Sequence, residues 1–265
     1  MTEIRDLPII DHQTAEPSAF TAEALIDDVR RLRHLRADPL PPVTFLEFDG
    51  DLTDWLVGQG LARPFPHWAC FHTTMFAVEL EGLVCAIIPR TIGGPYAVLI
   101  AEQLHVSGTR LIVGLTSAGR VSPDLPIPSL VVATQAIRDE GTSYHYVPPA
   151  KEIACRSRFT QPIEKQLSIA GFTVRSGAVW TTDSPYRETK SELSRWASEG
   201  VLAVEIQAAS LFAFGEARKA DVAVIARVSN AIDHDGSQFN TGTAEQGLDI
   251  LRAVARAVLS EFVKG

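Results

Sequence analysis

The chain has 265 residues, of which 46% are hydrophobic and 21% charged, an ordinary composition for a soluble globule of one large or two small domains. A net charge of −8 argues against non-specific nucleic-acid binding, yet local donors can still hold an anionic small molecule. Cys70, Cys85 and Cys155 show no CxxC spacing, which excludes a disulfide framework and a cysteine zinc site and predicts a reducing cytoplasm. The longest apolar runs, such as 111–115 and 130–133, are too short to span a membrane. The N-terminus, MTEIRDLPIIDHQ, lacks the basic-then-apolar pattern of a secretory leader.

In chain order, Ala24, Leu25, Val29, Leu32 and Leu35 recur at helical spacing and predict a helix over 21–36. The run Asp38-Pro39-Leu40-Pro41-Pro42 ends it, because proline removes donors and disfavours helix before it. Residues 1–42 therefore read as a helical extension, and 43–265 as the main domain. Strands are predicted over 43–48, 73–80 and 83–88, the last two joined by a turn at Glu81-Gly82. A helix over 96–106 and strands over 110–115 and 130–137 follow. The helix 162–170 ends at Gly171, a C-cap residue. Next come strand 172–180, helix 188–198, strand 201–206, helix 208–218, strand 222–228 and a closing helix over 243–263. Thr243 and Gln246 can form a capping box for it, and Leu248, Leu251, Ala255, Val258, Leu259 and Phe262 make its apolar stripe. This alternation predicts a single α/β domain, with helices on both faces of a mixed sheet.

Sites in such sheets gather where strands lead into helices, which directs attention to 116–120, 181–189, 228–235 and the junction 205–207. Ser117 follows a buried strand and precedes Ala118 and Gly119. Small neighbours let a ligand approach the backbone and the hydroxyl can donate to an oxyanion; an ordinary tight turn is the alternative. His145, between two tyrosines in RDEGTSYHYVPP at 138–149, is either an acid–base group or a hydrogen-bonded structural residue. The run WTTDSPYRET at 180–189 offers hydroxyls, carboxylates and ring faces to a heterocycle, and also reads as a helix entry. Glu205-Ile206-Gln207 can seat a sugar over Ile206 with Gln207 on its hydroxyls, or Ile206 can be a core residue. His234, flanked by Asp233 and Asp235, reads as a solvated loop, and no spacing suggests a metal.

Four of these segments, in this order, resemble the nucleoside phosphorylase family of the purine-nucleoside/uridine phosphorylase type: IGGPYAVLIAEQLHVSGTRLIVGLTSAG at 92–119, RDEGTSYHYVPP, WTTDSPYRET and VLAVEIQAASLFAF at 201–214. The resemblance implies a three-layer α/β/α sandwich with a central mixed, partly barrel-like sheet. It also implies cleavage of a nucleoside's N-glycosidic bond with phosphate as acceptor, no cofactor, and a homodimer or homohexamer. Under it, Gly93 and Ser117 contact phosphate. Ala118, Gly119, Trp180, Thr181, Thr182, Glu205, Ile206 and Gln207 surround the nucleoside, Ile206 in place of the sugar-packing methionine. Gln207 takes the place of the ribose-binding glutamate and Asn230 that of the base-protonating aspartate.

The chain departs from the family where charge matters. The family's phosphate arginine falls on Gly114. A second arginine, lent by the neighbouring subunit, falls near Phe71 and His72, and no Gly-Asp-Pro phosphate loop stands out. Arg110, Arg120 and Arg227 are candidates to replace a lost cation. Loss of one charge-assisted contact costs about 1.5–3 kcal/mol. Phosphorolysis, hydrolysis without phosphate, and nucleoside binding without turnover are the three functions this pattern allows.

Overall fold

A computed structural model describes residues 7–231 and 242–262. Thr21 caps the first helix, α1 (Ala22–Arg33), by accepting from the Ala24 amide at 3.3 Å, and the helix ends at left-handed His34. Then follow β1 (Val43–Glu47), α2 (Asp51–Gly58), β2 (Ala62–Pro64), β3 (Phe76–Leu80), β4 (Leu83–Ile88) and α3 (Gly94–Val106). The second half holds β5 (Leu111–Arg120), β6 (Ser129–Asp139), β7 (Glu152–Ala154), α4 (Thr160–Ile169) and β8 (Val174–Thr182). It closes with α5 (Lys190–Ser198), β9 (Ala203–Glu205), α6 (Ala208–Arg218), β10 (Asp221–Ala231) and α7 (Ala244–Phe262).

The strands form one mixed sheet in the order β10-β6-β8-β9-β5-β1-β4-β3-β2, and β10 also pairs with β5. That extra pairing closes five strands into a barrel, from which β1, β4, β3 and β2 extend as an open wing. Small residues (Ala118, Ala133, Ala136, Ala203, Ala226) turn inward and meet Ala208, Ala209 and Leu211 of α6 in one core. The opposite face packs Val43, Phe45, Val113 and Ile225 against Leu251, Val254 and Val258 of α7. The predicted capping box starts α7: Thr243 Oγ1 accepts from the Gln246 amide at 3.2 Å, and Gln246 Oε1 accepts from the Thr243 amide at 3.1 Å. Ile26 and Val29 of α1 bury against Ala69, with Val106 of α3 alongside.

Several boundaries differ from the sequence reading, and three of them lie close to the candidate site. Residues 116–120, expected as a loop, continue β5. They are paired with β10 through Arg120 and with β9 at Gly119↔Val204. Residues 228–231 likewise continue β10 past an irregularity between Val228 and Asn230. The 188–198 helix begins at Lys190 behind a capping box of Thr189 and Glu192, and Pro185–Arg187 forms a separate 3-10 turn. Helix α2 was not anticipated. Its signal is brief, with Leu52, Trp55 and Leu56 at i, i+3 and i+4.

Candidate functional site

Most of the candidate residues collect at the C-terminal ends of β1, β4, β5 and β10 and at the start of α6. On the barrel-core side, Gly93 is the N-cap of α3 and takes a positive φ of 84°. The Gly94 amide donates to the Ile206 carbonyl at 2.8 Å. A Cβ on Gly94 would stand 2.1 Å from Ser210 Oγ, so only glycine lets this turn close on α6. Ile206 Cδ1 is 3.9 Å from where a Cβ of Gly93 would stand.

Glu205 is buried and engaged by the fold. Its Oε1 accepts from Thr181 Oγ1 at 2.5 Å, and its Oε2 accepts from the Gln207 and Ala208 amides at 2.7 and 2.9 Å. Thr181 Oγ1 in turn accepts from the Ala209 amide at 3.0 Å. These contacts satisfy the first donors of α6. Burial pushes the Glu205 carboxyl up to about 7, against the pull of its three donors, and Glu140 adds repulsion. Glu140 lies one layer away, accepting from Ser210 Oγ at 2.6 Å and the Ser143 amide at 3.0 Å.

Gln207 is wholly buried, and neither Nε2 nor Oε1 has a protein partner. Its amide lies over Gly114: a Cβ there would be 3.5 Å from Gln207 Nε2 and 3.1 Å from Leu211 Cδ1. The position where the resemblance expects a cation is thus closed by a neutral amide and a leucine. A buried amide without partners costs about 1–3 kcal/mol, which marks Gln207 as a group kept for something other than stability.

Ser117 faces the other way, toward α7. Its Oγ donates to Asp49 Oδ2 at 2.5 Å, and in the β5–β10 ladder its register partner is Arg227. Ser117, Asp49, Asp51, Arg227 and Thr243 line a cavity of about 200 Å³ between the strand ends and α7. Arg227 donates to Gln246 Oε1 at 3.0 Å; burial pushes its pKa down and Asp49 opposes that shift. Glu47, at the cavity floor, accepts from the amides of Gly50, Leu52 and Thr53 and from the Thr53 hydroxyl. It anchors the turn Asp49-Gly50-Asp51, where Gly50 adopts φ 96°. This is a Gly-Asp turn without the expected proline or arginine. Thr91 binds the Glu47 carbonyl through its amide and hydroxyl, which lays Arg90 along Gly50, ion-paired with Asp54.

The remaining candidates fall as follows. Ala118 is buried in the barrel core and Gly119 is paired in β5. Thr182 is buried, accepting from the Ser184 amide at 3.2 Å. Trp180 is 1% exposed, tilted against Trp196 at 6.1 Å, with Nε1 donating to Asp139 Oδ2 at 3.0 Å; its rings serve a core cluster. Asn230 is half-buried, opposite Gly119 across the ladder, and accepts from Ser229 Oγ at 3.5 Å. Of the three arginines, Arg227 alone stands beside Ser117. Arg110 opens β5 at its far end, and Arg120 lies beside Lys190 and Leu193 of α5. His234 and its neighbours lie outside the described residues. Among the described residues, no group of three His, Cys, Asp or Glu side chains is placed to hold a metal, and no helix is long and apolar enough to cross a membrane. Asp49, Glu47, Glu140 and Arg90 were missed by sequence reasoning. A strand running into Asp-Gly-Asp, with acids in the first turn of a short helix, was the signal for the first two.

This closed barrel with an open wing matches the fold of a solved uridine phosphorylase. The structure of uridine phosphorylase from Vibrio fischeri ES114 superposes with a TM-score of 0.71 over 85% of this chain and 93% of that one, at 22% identity. The phosphorylase superfamily model matches residues 59–264, and the chain belongs to that family. Relatives include the uncharacterised protein R802 of Acanthamoeba polyphaga mimivirus, 28% identical over 57% of this chain and 59% of its own length. Uridine phosphorylase of Salmonella typhimurium is 27% identical over 52% of this chain and 60% of its own. Guanosine phosphorylase of Halorubrum lacusprofundi is 22% identical over 68% and 76%. The matches to the first two span about three fifths of those proteins' length.

Proposed function

We propose that the chain cleaves the N-glycosidic bond of a nucleoside, with water rather than phosphate as the acceptor. The observation that carries this reading is the Asp49 carboxylate on Ser117 Oγ at 2.5 Å. Ser117 is the hydroxyl that the family likeness assigns to phosphate, and a carboxylate on it repels an anion. Arg227, which lines this cavity, is engaged by Gln246, and Arg90, beside Gly50, by Asp54. In the proposed step a water gives its proton to Asp49 as its oxygen attacks C1′. The C1′–N bond breaks, and the base leaves with the electron pair and takes a proton from solvent, since Asn230 has no acidic proton to give. Gln207 and Ile206 stand on the α6 side of the sheet, away from Asp49, and take no part in this step; the unpartnered Gln207 amide is proposed separately as a contact for a ribose hydroxyl. The same proposal carries a cytoplasmic homodimer or homohexamer that needs no organic cofactor. Phosphorolysis, named by the uridine and guanosine phosphorylase relatives, is the competing reading, and binding without turnover the third.

The test is a nucleoside panel incubated in ¹⁸O-water, with free base followed by chromatography and the label sought at the sugar C1. Label on a free sugar supports hydrolysis; an unlabelled sugar phosphate identifies phosphorolysis; binding by calorimetry without release identifies a non-catalytic protein. A Gln207→Leu chain separates ligand binding from stability. It removes two unpaired buried polar atoms, so stability is expected to hold or rise by about 1 kcal/mol, read by thermal unfolding. Nucleoside affinity in the same chain is expected to fall about tenfold, matching loss of a contact worth about 1.4 kcal/mol. Unchanged affinity removes Gln207 from the site.

A further inference from the structure

We infer that the N-terminal strap, residues 7–18, is docked on the turn Thr142–His145 by a stacked histidine pair and is released on acidification. The rings of His12 and His145 lie 3.8 Å apart between centroids, tilted by 39°. Ile9, in the 3-10 turn Pro8–Ile10, covers Gly141, with Cδ1 3.4 Å from where a Cβ would stand. His12 Nε2 is buried without a protein partner. Beyond the stack, the strap roofs a cavity of about 600 Å³ over Leu99 and Gln103 of α3 and Ala217 of α6. The strap thus has few anchors, and two of them are titratable rings in contact.

Two neutral imidazoles stack without penalty, whereas two imidazolium ions at this distance repel. The acids around the pair are otherwise committed. Glu140 serves Ser143 and Ser210. Glu102 of α3 takes Arg218 of α6 at 2.9 Å and the Tyr146 hydroxyl at 3.0 Å. Asp183, at the end of β8, takes the Gly141 amide at 2.8 Å. Asp11 and Glu16, on the strap itself, are solvent-exposed, where water screens their charge. Burial and the neighbouring His12 push the His145 pKa below the ordinary imidazole value, and Glu140 opposes this in part. A lowered pKa in the docked state means that docking is fully supported above the free imidazole value of about 6.5 and weakens as pH falls through it. The released turn is the one that abuts Gly94: Thr142 Oγ1 is 3.7 Å from where its Cβ would stand. Strap release therefore loosens the support of the first turn of α3. The inference stands whether or not the chain cleaves nucleosides.

Hydrogen exchange of the full chain, read by mass spectrometry at about pH 7.5 and about pH 5.5 on either side of the imidazole range, tests it once intrinsic rates are corrected for pH. Protection of 7–18 and 142–146 is expected to drop roughly fivefold or more at the lower pH, a local opening, while α7 stays protected. His145→Phe keeps a stacked ring without a charge and is expected to hold protection at both pH values; His12→Phe is expected to shrink the drop, leaving the part that burial of His145 alone causes. No drop in the native chain, or an equal drop in either phenylalanine chain, overturns the inference. So does a strap already unprotected at the higher pH in both variants, because the ring contact would then not be what holds it.

Discussion

An Asp49→Asn chain is expected to release free base at least ~100-fold more slowly than the native chain, the usual scale for loss of a general base. The amide keeps the shape of the side chain and can still accept from Ser117 Oγ, so the fold is expected to be unchanged. What it loses is the ability to take a proton from water. The nucleoside KM is expected to stay within about twofold, since a group that acts only in the transition state leaves ground-state binding alone. A second consequence is specific to this site. Removing the negative charge takes away the carboxylate that repels an anion beside Ser117 and Arg227, so added phosphate is expected to bind more tightly to Asp49→Asn than to the native chain. Calorimetry with inorganic phosphate and initial rates with a cleaved nucleoside read the two effects separately. A native rate in Asp49→Asn removes Asp49 from the chemistry.

Replacing Glu205 by alanine is expected to cost about 3–5 kcal/mol of stability. The carboxylate is buried and receives Thr181 Oγ1 and the Gln207 and Ala208 amides. Alanine leaves all three donors in the dark and opens a void at the junction of β8, β9 and α6. On a domain of this size the midpoint is expected to fall by roughly 6–10 °C, measured by thermal unfolding. Glu205→Gln, which keeps an acceptor, is expected to cost less. The same group gives stability a pH dependence. Its folded pKa, about 7, lies above the ordinary 4.5, so its contribution is present below about 4.5 and is lost as pH rises through about 7. Glu205→Gln is expected to flatten that slope in part, because Glu188, also raised to about 7 by burial, keeps some of it. A midpoint in Glu205→Ala equal to the native one contradicts the capping role.

The alternation of strand and helix, and the capping box and apolar stripe of α7, were legible because they are local patterns. The barrel was expected from the family resemblance alone and not from any local pattern, because its closure depends on β10 pairing with β5 and β9 meeting Gly119, contacts made far along the chain. The candidate site was legible in its backbone: Gly93, Glu205, Ile206 and Gln207 do meet around the start of α6. Its electrostatics were not. Glycine at 114 reads as a missing arginine, and only the structure shows Gln207 and Leu211 filling that space. Ser117 reads as a phosphate hydroxyl until Asp49, 68 positions away, is seen on it. Trp180 reads as a ring for stacking on a base, and only tertiary packing shows it spent on Trp196 and Asp139.

The most direct test of the acceptor is the initial rate of base release from a cleaved nucleoside as inorganic phosphate is raised from none to the millimolar range. A rate that is finite without phosphate and flat as phosphate rises, with free sugar as the product, is the result expected from a carboxylate on Ser117. A rate that is zero without phosphate and saturates with it, with a sugar phosphate as the product, would contradict the account.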